Sequence, residues 1–411
     1  MNKYLNSPLV DGTFEHDIDY NERNKPGQVR LLILWRGGYN WLMLRFLTGG
    51  ESHGPCLTVI VDGFPAGLSV DVEAINRDLA RRQGGYGRNT RQQIERDRVE
   101  ILGGVIAGET IGAPIVLRIE NRDWANWRDL WAENRLEPLT IPRPGHADYA
   151  GMVKFHLEDA RPVLERASAR ETAARMAAGS LARQLLAAFG ASVGSYVESI
   201  GSVRADIPAL PAVELWRLAN QSEVYCPDGQ ATSAMIAAIE EARQAGDTLG
   251  GEFVVTVTGL PVGLGSYTQW DRRLDARLAS AMMSIPAVKG VEIGPAFENA
   301  AMRGTQVQDD LYPDGAGWVL RRTNRAGGIE GGMTNGEVVW LRAAMKPIAT
   351  TLTAHDSVDM KTGKAARYRY QRSDFCAVPA AAVVGEAMAA WVCADALIEK
   401  FGGDSLAEMK R

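Results

Sequence analysis

"VDGFPAGLSVD" (residues 61–71) and "VTGLPVGLGSY" (257–267) share the pattern V-x-G-x-P-x-G-L, 196 positions apart. Each copy follows a short strand-like run and precedes an amphipathic stretch. "CLTVIVDG" (56–63) is β-branched and reads as a strand. "SVDVEAINRDLARRQ" (69–83) then places Val72, Ile75 and Leu79 at helical spacing, with Ser69 or Asp71 as a cap. In the second copy the helix is "DRRLDARLASAMMSI" (271–285). Each helix leads into a related strand, "VEILGGV" or "VKGVEIG". Two β-turn-α-β units of one pattern indicate duplication, and no Pro/Gly/Ser-rich linker separates them. The expectation is a single large α/β domain of the α+β type with an internal pseudo-twofold repeat, its units near 56–106 and 252–294.

Outward from the repeat, "VEILGGVIAG" and "APIVLRIEN" read as a strand pair. "SARETAARMAAGSLARQLLAAFG" (168–190) reads as a long helix capped by Ser168, with Glu171 completing a capping box and Gly190 as the stop. A second long helix is expected through 380–403, ending at a glycine pair. Residues 1–42 lack clear periodicity and precede a second methionine, Met43. They read as an extension outside the core, or as a start placed too early, with the domain spanning 43–411.

The 411 residues are 46% hydrophobic and 23% charged, with a net charge of −5. Cys56, Cys226, Cys376 and Cys393 form no C-x-x-C pair, which suggests reduced thiols in a cytoplasmic protein. No run of about 18 apolar residues suggests a membrane span, and "LLILW" (31–35) is too short and too far in for a secretory signal. Nine lysines stand against 36 arginines. The planar arginine fork suits bidentate contact with carboxylate and phosphate.

Two histidines sit among small residues: His53 in "GGESHGP" (49–55) and His146 in "RPGHADYAG" (143–151). Such neighbours let backbone and imidazole approach something that is not protein, and histidine moves protons near neutral pH. One loop of this kind can be a plain turn; two among five histidines point to a site. Metal ligation is disfavoured because no paired ligands stand at helical or loop spacing. His16, His156 and His355 have no comparable setting and read as surface or core residues.

"RDLARRQGGYGRNTRQQIERDR" (77–98) carries a local charge of +4. It reads as a solvated face or as a flexible flap over a small anion; nucleic acid is disfavoured because acidic residues outnumber basic ones. "ERASARET" (165–172) sets Arg166 and Ser168 at the mouth of a helix, a ready anion site. "NRAGGIEGGMTNGE" (324–337) holds five glycines, enough for backbone to lie along a planar or phosphorylated ligand, but it fits no dinucleotide or Walker pattern. "MKPIAT" (345–350) offers Lys346 and Thr350 to an anion, and "YQRSDFCAVPAAAVVGE" (370–386) sets Arg372 and Asp374 before the last helix. Together these segments describe an arginine-rich, glycine-lined pocket suited to a polyanion bearing phosphate and carboxylate.

"GESHGP", "RPGHADY", "RASARET", "GVEIG", "NRAGGIEGGMTNG", "KPI" and "RSDFCAVPAA" occur in the order, and at about the spacing, of chorismate synthase. Over residues 43–408 the chain resembles that family. The resemblance implies a β-α-β sandwich with internal pseudo-symmetry and a homotetramer. It implies a 1,4-anti elimination converting 5-enolpyruvylshikimate 3-phosphate to chorismate and phosphate, the last common step of the shikimate pathway. Reduced FMN would be required without net redox change, supplied by an external flavin reductase.

Carried across by position, His53 would protonate the leaving phosphate and His146 would protonate or hold the reduced ring. Asp374 would act with flavin N5 to remove the C6 proton. Arg82 and Arg88 would contact substrate phosphate or NADP. FMN would rest on Arg166, Ala167 and Ser168, on Gly331, on Lys346, Pro347, Ile348, Ala349 and Thr350, and on Arg372, with Pro286 and Ala287 as a further pair. Proline at 286 departs from the polar or small residue of the family and has no N–H to donate. No metal, nucleic acid or membrane is implied, and the glycine-rich loop near residue 86 is expected to act as a lid.

Overall fold

A computed structural model of the chain describes residues 44–88, 95–133, 136–315, 319–368 and 373–411. The expected extension, residues 1–42, lies outside them. In the first half, strands β1 (Arg45–Gly49), β2 (Cys56–Asp62), β3 (Val99–Gly103) and β4 (Ile115–Glu120) accompany helices α1 (Val72–Gln83) and α2 (Thr172–Ala187). The second half repeats the series with β5 (Ser192–Ile200), β6 (Gly251–Thr258), α3 (Leu274–Met283), β7 (Val288–Ile293), β8 (Val339–Met345) and α4 (Val378–Phe401). The first sheet runs β1-β2-β4-β3 and the second β5-β6-β8-β7, with a two-residue strand, Val203–Arg204, added beside β5. All these pairings are antiparallel. The halves therefore share one strand order.

Alternation along the strands dictates which face each sheet buries. Leu57, Val59 and Val61 on β2 and Ile115, Leu117 and Ile119 on β4 point inward. They meet α2, while α4 covers β5 and β6, and α2 and α4 pack on each other. The result is a sheet-helix-sheet sandwich. Small side chains make the central contact possible: a Cβ at Gly179 of α2 would lie 2.4 Å from the Ala387 Cβ of α4. By length and composition α4 could cross a membrane, but the protein buries its apolar stretch completely. Glu386 and Asp395 interrupt its apolar run in sequence.

The repeated turn is duplicated down to its hydrogen bonds. Gly67 and Gly263, at matching positions, both adopt left-handed φ, +81° and +85°. The Thr110 hydroxyl accepts from Leu68 N at 2.9 Å and donates to Pro65 O at 2.6 Å. Thr334 does the same with Leu264 N at 2.8 Å and Pro261 O at 2.7 Å. The "GGMTNG" stretch is thus the second-half copy of residues 107–112, and Thr334 staples a turn. Thr110→Val or Thr334→Val should each cost about 2–4 kcal/mol, because a buried N–H and a carbonyl lose their partner. Denaturant unfolding of the two variants checks this.

The expected elements appear with shifted ends. Asp71 caps α1, accepting from Ala74 N at 2.9 Å. Ser168 caps a 3₁₀ turn, Ala169–Glu171, ahead of α2. The capping box does not form: the Glu171 carboxylate accepts instead from Thr48 Oγ1 at 2.9 Å and Arg175 Nε at 2.8 Å. A tertiary partner outcompeted the local one. Helices Ala212–Ala219 and Gly229–Gln244 fill the connection from β5 to β6.

Candidate functional site

Residues 49–55 form the tight turn between β1 and β2. Asn121, just after β4, closes it: Nδ2 donates to Glu51 O at 3.0 Å and to Gly54 O at 2.8 Å. His53 is gripped from one side by Glu165, whose carboxylate lies 2.8 Å from both its backbone N and its Nδ1. On its other side the Trp127 ring approaches at 4.2 Å between centroids, tilted by 35°. Glu165 is buried. The sequence reading passed over both residues, although Glu165 opens the "ERASARET" segment it had singled out.

His146 has a parallel arrangement. Its Nδ1 lies 2.6 Å from Asp148 Oδ1, and Arg143 binds the same carboxylate through Nε at 2.7 Å and Nη2 at 2.8 Å. Burial alone would push the Asp148 carboxyl up, but hydrogen bonds from Arg143 and His146 hold it well below its ordinary value. Lys346 Nζ donates to Gly145 O at 2.7 Å, joining this loop to the stretch after β8.

Behind the His53 turn lies a buried ionic network. Arg170 binds Asn121 Oδ1 at 2.9 Å and Asp97 at 2.6 Å, and Asp97 also accepts from Arg82 at 2.8 Å. Arg82 is 3% exposed. Burial pulls its guanidinium down to about 10; Asp97 opposes the shift, while Arg170 and Arg88 add to it. The Nε atoms of Arg82 and Arg88 are buried without a hydrogen-bond partner. Arg88 pairs with Asp374 at 2.7 Å. These are the marks of a cationic cluster with hydrogen-bonding capacity for an anion.

Hydrogen bonds link the other expected flavin residues. Arg166 donates to Thr48 O at 3.0 Å and to Thr48 Oγ1 at 2.6 Å. Glu171 binds Arg175, and Arg175 reaches Ser284 Oγ at 2.8 Å, two residues before Pro286. Ala287 holds a left-handed φ of +67° and accepts from Lys346 N at 2.9 Å. Ile348 O takes a bond from Thr248 Oγ1 at 2.7 Å, and Leu249 N donates to Phe375 O, beside Asp374. Phe375 N donates to Gly87 O, beside Arg88. The circuit from His53 to Asp374 closes on itself. Ala167 and Ser168 are half-buried beside Arg166, as are Ile348 and Ala349 beside Lys346; Pro347 is exposed and Thr350 buried.

One expected residue stands apart from the circuit. Gly331 is exposed on the hairpin Ile329–Thr334, which packs at the Val339 end of β8. Lys346 follows the other end, about 20 Å along the strand at ~3.3 Å per residue. Arg372 lies outside the described residues. The lid expectation is revised in part. Tyr86 donates to Glu240 at 2.8 Å through its hydroxyl and to Glu223 O at 2.8 Å through its N–H, so residues 84–88 are docked. The remainder of that loop, 89–94, lies outside the described residues. Clefts of about 340 Å³ at Ala66–Ser405 and about 450 Å³ at Asp309–Arg325 involve neither His53 nor His146. Among the described residues no cluster of three His, Cys, Asp or Glu side chains could hold a metal ion.

A duplicated sandwich that backs each of two histidines with a buried carboxylate, and buries a cluster of arginines beside the His53 turn, has the composition of an enzyme site for a small anion. A family model described as chorismate synthase matches residues 44–398. A chorismate synthase of Desulforudis audaxviator is 54% identical over 372 residues, covering 89% of this chain and 95% of that protein. One of Rubrobacter xylanophilus is 56% identical over 369 residues, covering 89% and 94%. A crystal structure of chorismate synthase superposes with a TM-score of 0.73 at 41% identity, covering 90% of this chain and 95% of that one. The chain belongs to the chorismate synthase family. It is a family of lyases acting on a small-molecule substrate in the shikimate pathway.

Proposed function

We propose that this protein converts 5-enolpyruvylshikimate 3-phosphate to chorismate and phosphate by 1,4-anti elimination, with reduced FMN, in the cytoplasm and as a homotetramer. The observation that carries this reading is the pair of carboxylate-backed histidines, together with the buried Arg82–Arg88–Arg170 cluster that Asn121 ties to the His53 turn. In it the partnerless Nε atoms of Arg82 and Arg88 are donors open to a phosphate. His53 gives a proton to the leaving phosphate, and the arginines stabilise the charge that gathers there. Asp374, held by Arg88, accepts the C6 proton.

The residues present fit a flavin mononucleotide. Arg166 keeps 45% of its side chain exposed, and Lys346 stands at the His146 loop, so the circuit offers cations to a flavin phosphate. Arg166, Ala167, Ser168, Pro286, Ala287 and the stretch Lys346–Thr350 would hold it, with Arg372. When bound it would supply electron density to the breaking C–O bond without net redox change. His146, fixed by Asp148 and Arg143, holds or moves a proton at the ring. Pro286 offers its carbonyl and its ring but no N–H, so it can accept a hydrogen bond or pack, not donate. Gly331 would add a further contact.

The test is anaerobic: protein, substrate and chemically reduced FMN, following chorismate absorbance and phosphate. Product that appears only with reduced flavin supports the reading; none, with FMN bound, sinks it. Oxidised FMN with NADPH, in the same assay, reports whether an external reductase is needed. A chain beginning at Met43 is expected to keep full activity and its assembly, since residues 44–411 form one compact unit. Loss of either in that variant contradicts the domain boundary.

A further inference from the structure

Glu165 has the burial and the contacts of a working residue. Its side chain is 1% exposed, and one carboxylate serves the His53 backbone N at 2.8 Å and Nδ1 at 2.8 and 3.1 Å. The carbonyl of Glu165 also accepts from Ser52 N at 3.2 Å. A carboxylate only accepts, so both His53 groups must donate. We propose that Glu165 is the positioning residue of His53, keeping the proton on Nδ1 so that Nε2 is the atom that exchanges a proton with substrate.

The inference rests on the proton-donor role of His53. In the step, the Nε2–H bond of the imidazolium breaks and an O–H bond forms on the departing phosphate. The electron pair of the C–O bond leaves with that phosphate, and the ring is left neutral with its proton on Nδ1. Trp127 on the ring face and Asn121 across the 51–54 turn oppose rotation of the imidazole. Without the carboxylate, a neutral ring is free to carry its proton on Nε2 and to present the wrong nitrogen.

Nitrogen NMR of the ring reads this directly in the wild-type protein, with His53→Gln identifying the signals. At a pH where the ring is neutral, His53 is expected in the Nδ1–H form. Glu165→Gln should give a mixture of both forms and lower kcat on the order of 100-fold, with KM and FMN affinity unchanged. Glu165→Asp should recover part of the loss. A wild-type ring found in the Nε2–H form overturns the inference, as does a folded Glu165→Gln enzyme with normal kcat and pH profile. If Glu165→Gln does not fold, the wild-type tautomer alone decides. If His53→Ala retains turnover, the proton-donor reading fails separately, because the tautomer is measured without turnover.

Discussion

Chorismate formation by a His53→Ala variant is expected to fall on the order of 1,000-fold, with FMN still bound. The substitution removes the ring that Glu165 holds, and leaves that buried carboxylate with the backbone N–H of residue 53. Phosphate must then depart without a proton, stabilised by the arginines alone. His146→Ala should lose a comparable factor, since Asp148 and Arg143 would hold nothing at the ring. Both are measured anaerobically with saturating reduced FMN, and flavin affinity is followed by fluorescence. Near-normal turnover in either variant would remove its histidine from the proton steps.

Glu386→Ala is expected to cost about 3 kcal/mol in unfolding free energy, because it takes the buried carboxylate from two half-buried guanidinium groups and leaves them only the Asp78 carboxylate. Glu386 is fully buried in α4. It takes both arms of Arg81 of α1 at 2.7 Å, Arg183 of α2 at 3.0 Å and Ser195 of β5 at 2.7 Å. One carboxylate thus ties four elements. Burial alone would raise its pKa, but Arg81, Arg183 and Ser195 hold it below the ordinary 4.5. A lowered folded-state value means that the contribution is complete above 4.5 and is lost as pH falls through that lower value. The wild type should therefore lose stability faster than Glu386→Ala below pH 4.5, measured by urea unfolding across that range. Equal slopes would mean that Glu386 carries no such linkage.

What could be read from the chain was whatever repeats or alternates locally. The V-x-G-x-P-x-G-L pair announced two equivalent halves, because a turn needing left-handed glycines at fixed offsets leaves the same letters twice. The helices α1, α2 and α4 were legible from periodicity and stop signals. His53 and His146 were legible because only small neighbours admit a ligand near an imidazole. The glycine-rich stretch at 324–337 was misleading in part. Asp309 accepts from Arg325 N and Ala326 N at 2.8 Å, and Thr334 staples its turn, so part of its backbone serves the fold.

Sequence by itself determined the duplication, the strand and helix faces, and the two histidine loops, since each depends on residues a few positions apart. Tertiary structure alone decided the partners. Glu165 reaches His53 across 112 positions, and Lys346 reaches Gly145 across 201. Folding also buried Arg82 against Asp97, turned Glu171 away from its cap, and set Gly331 at the far end of a strand from Lys346. Periodicity reports which side of an element is apolar. Which charge meets which is settled only when the two sheets close over α2 and α4, and desolvation leaves each buried charge dependent on a partner.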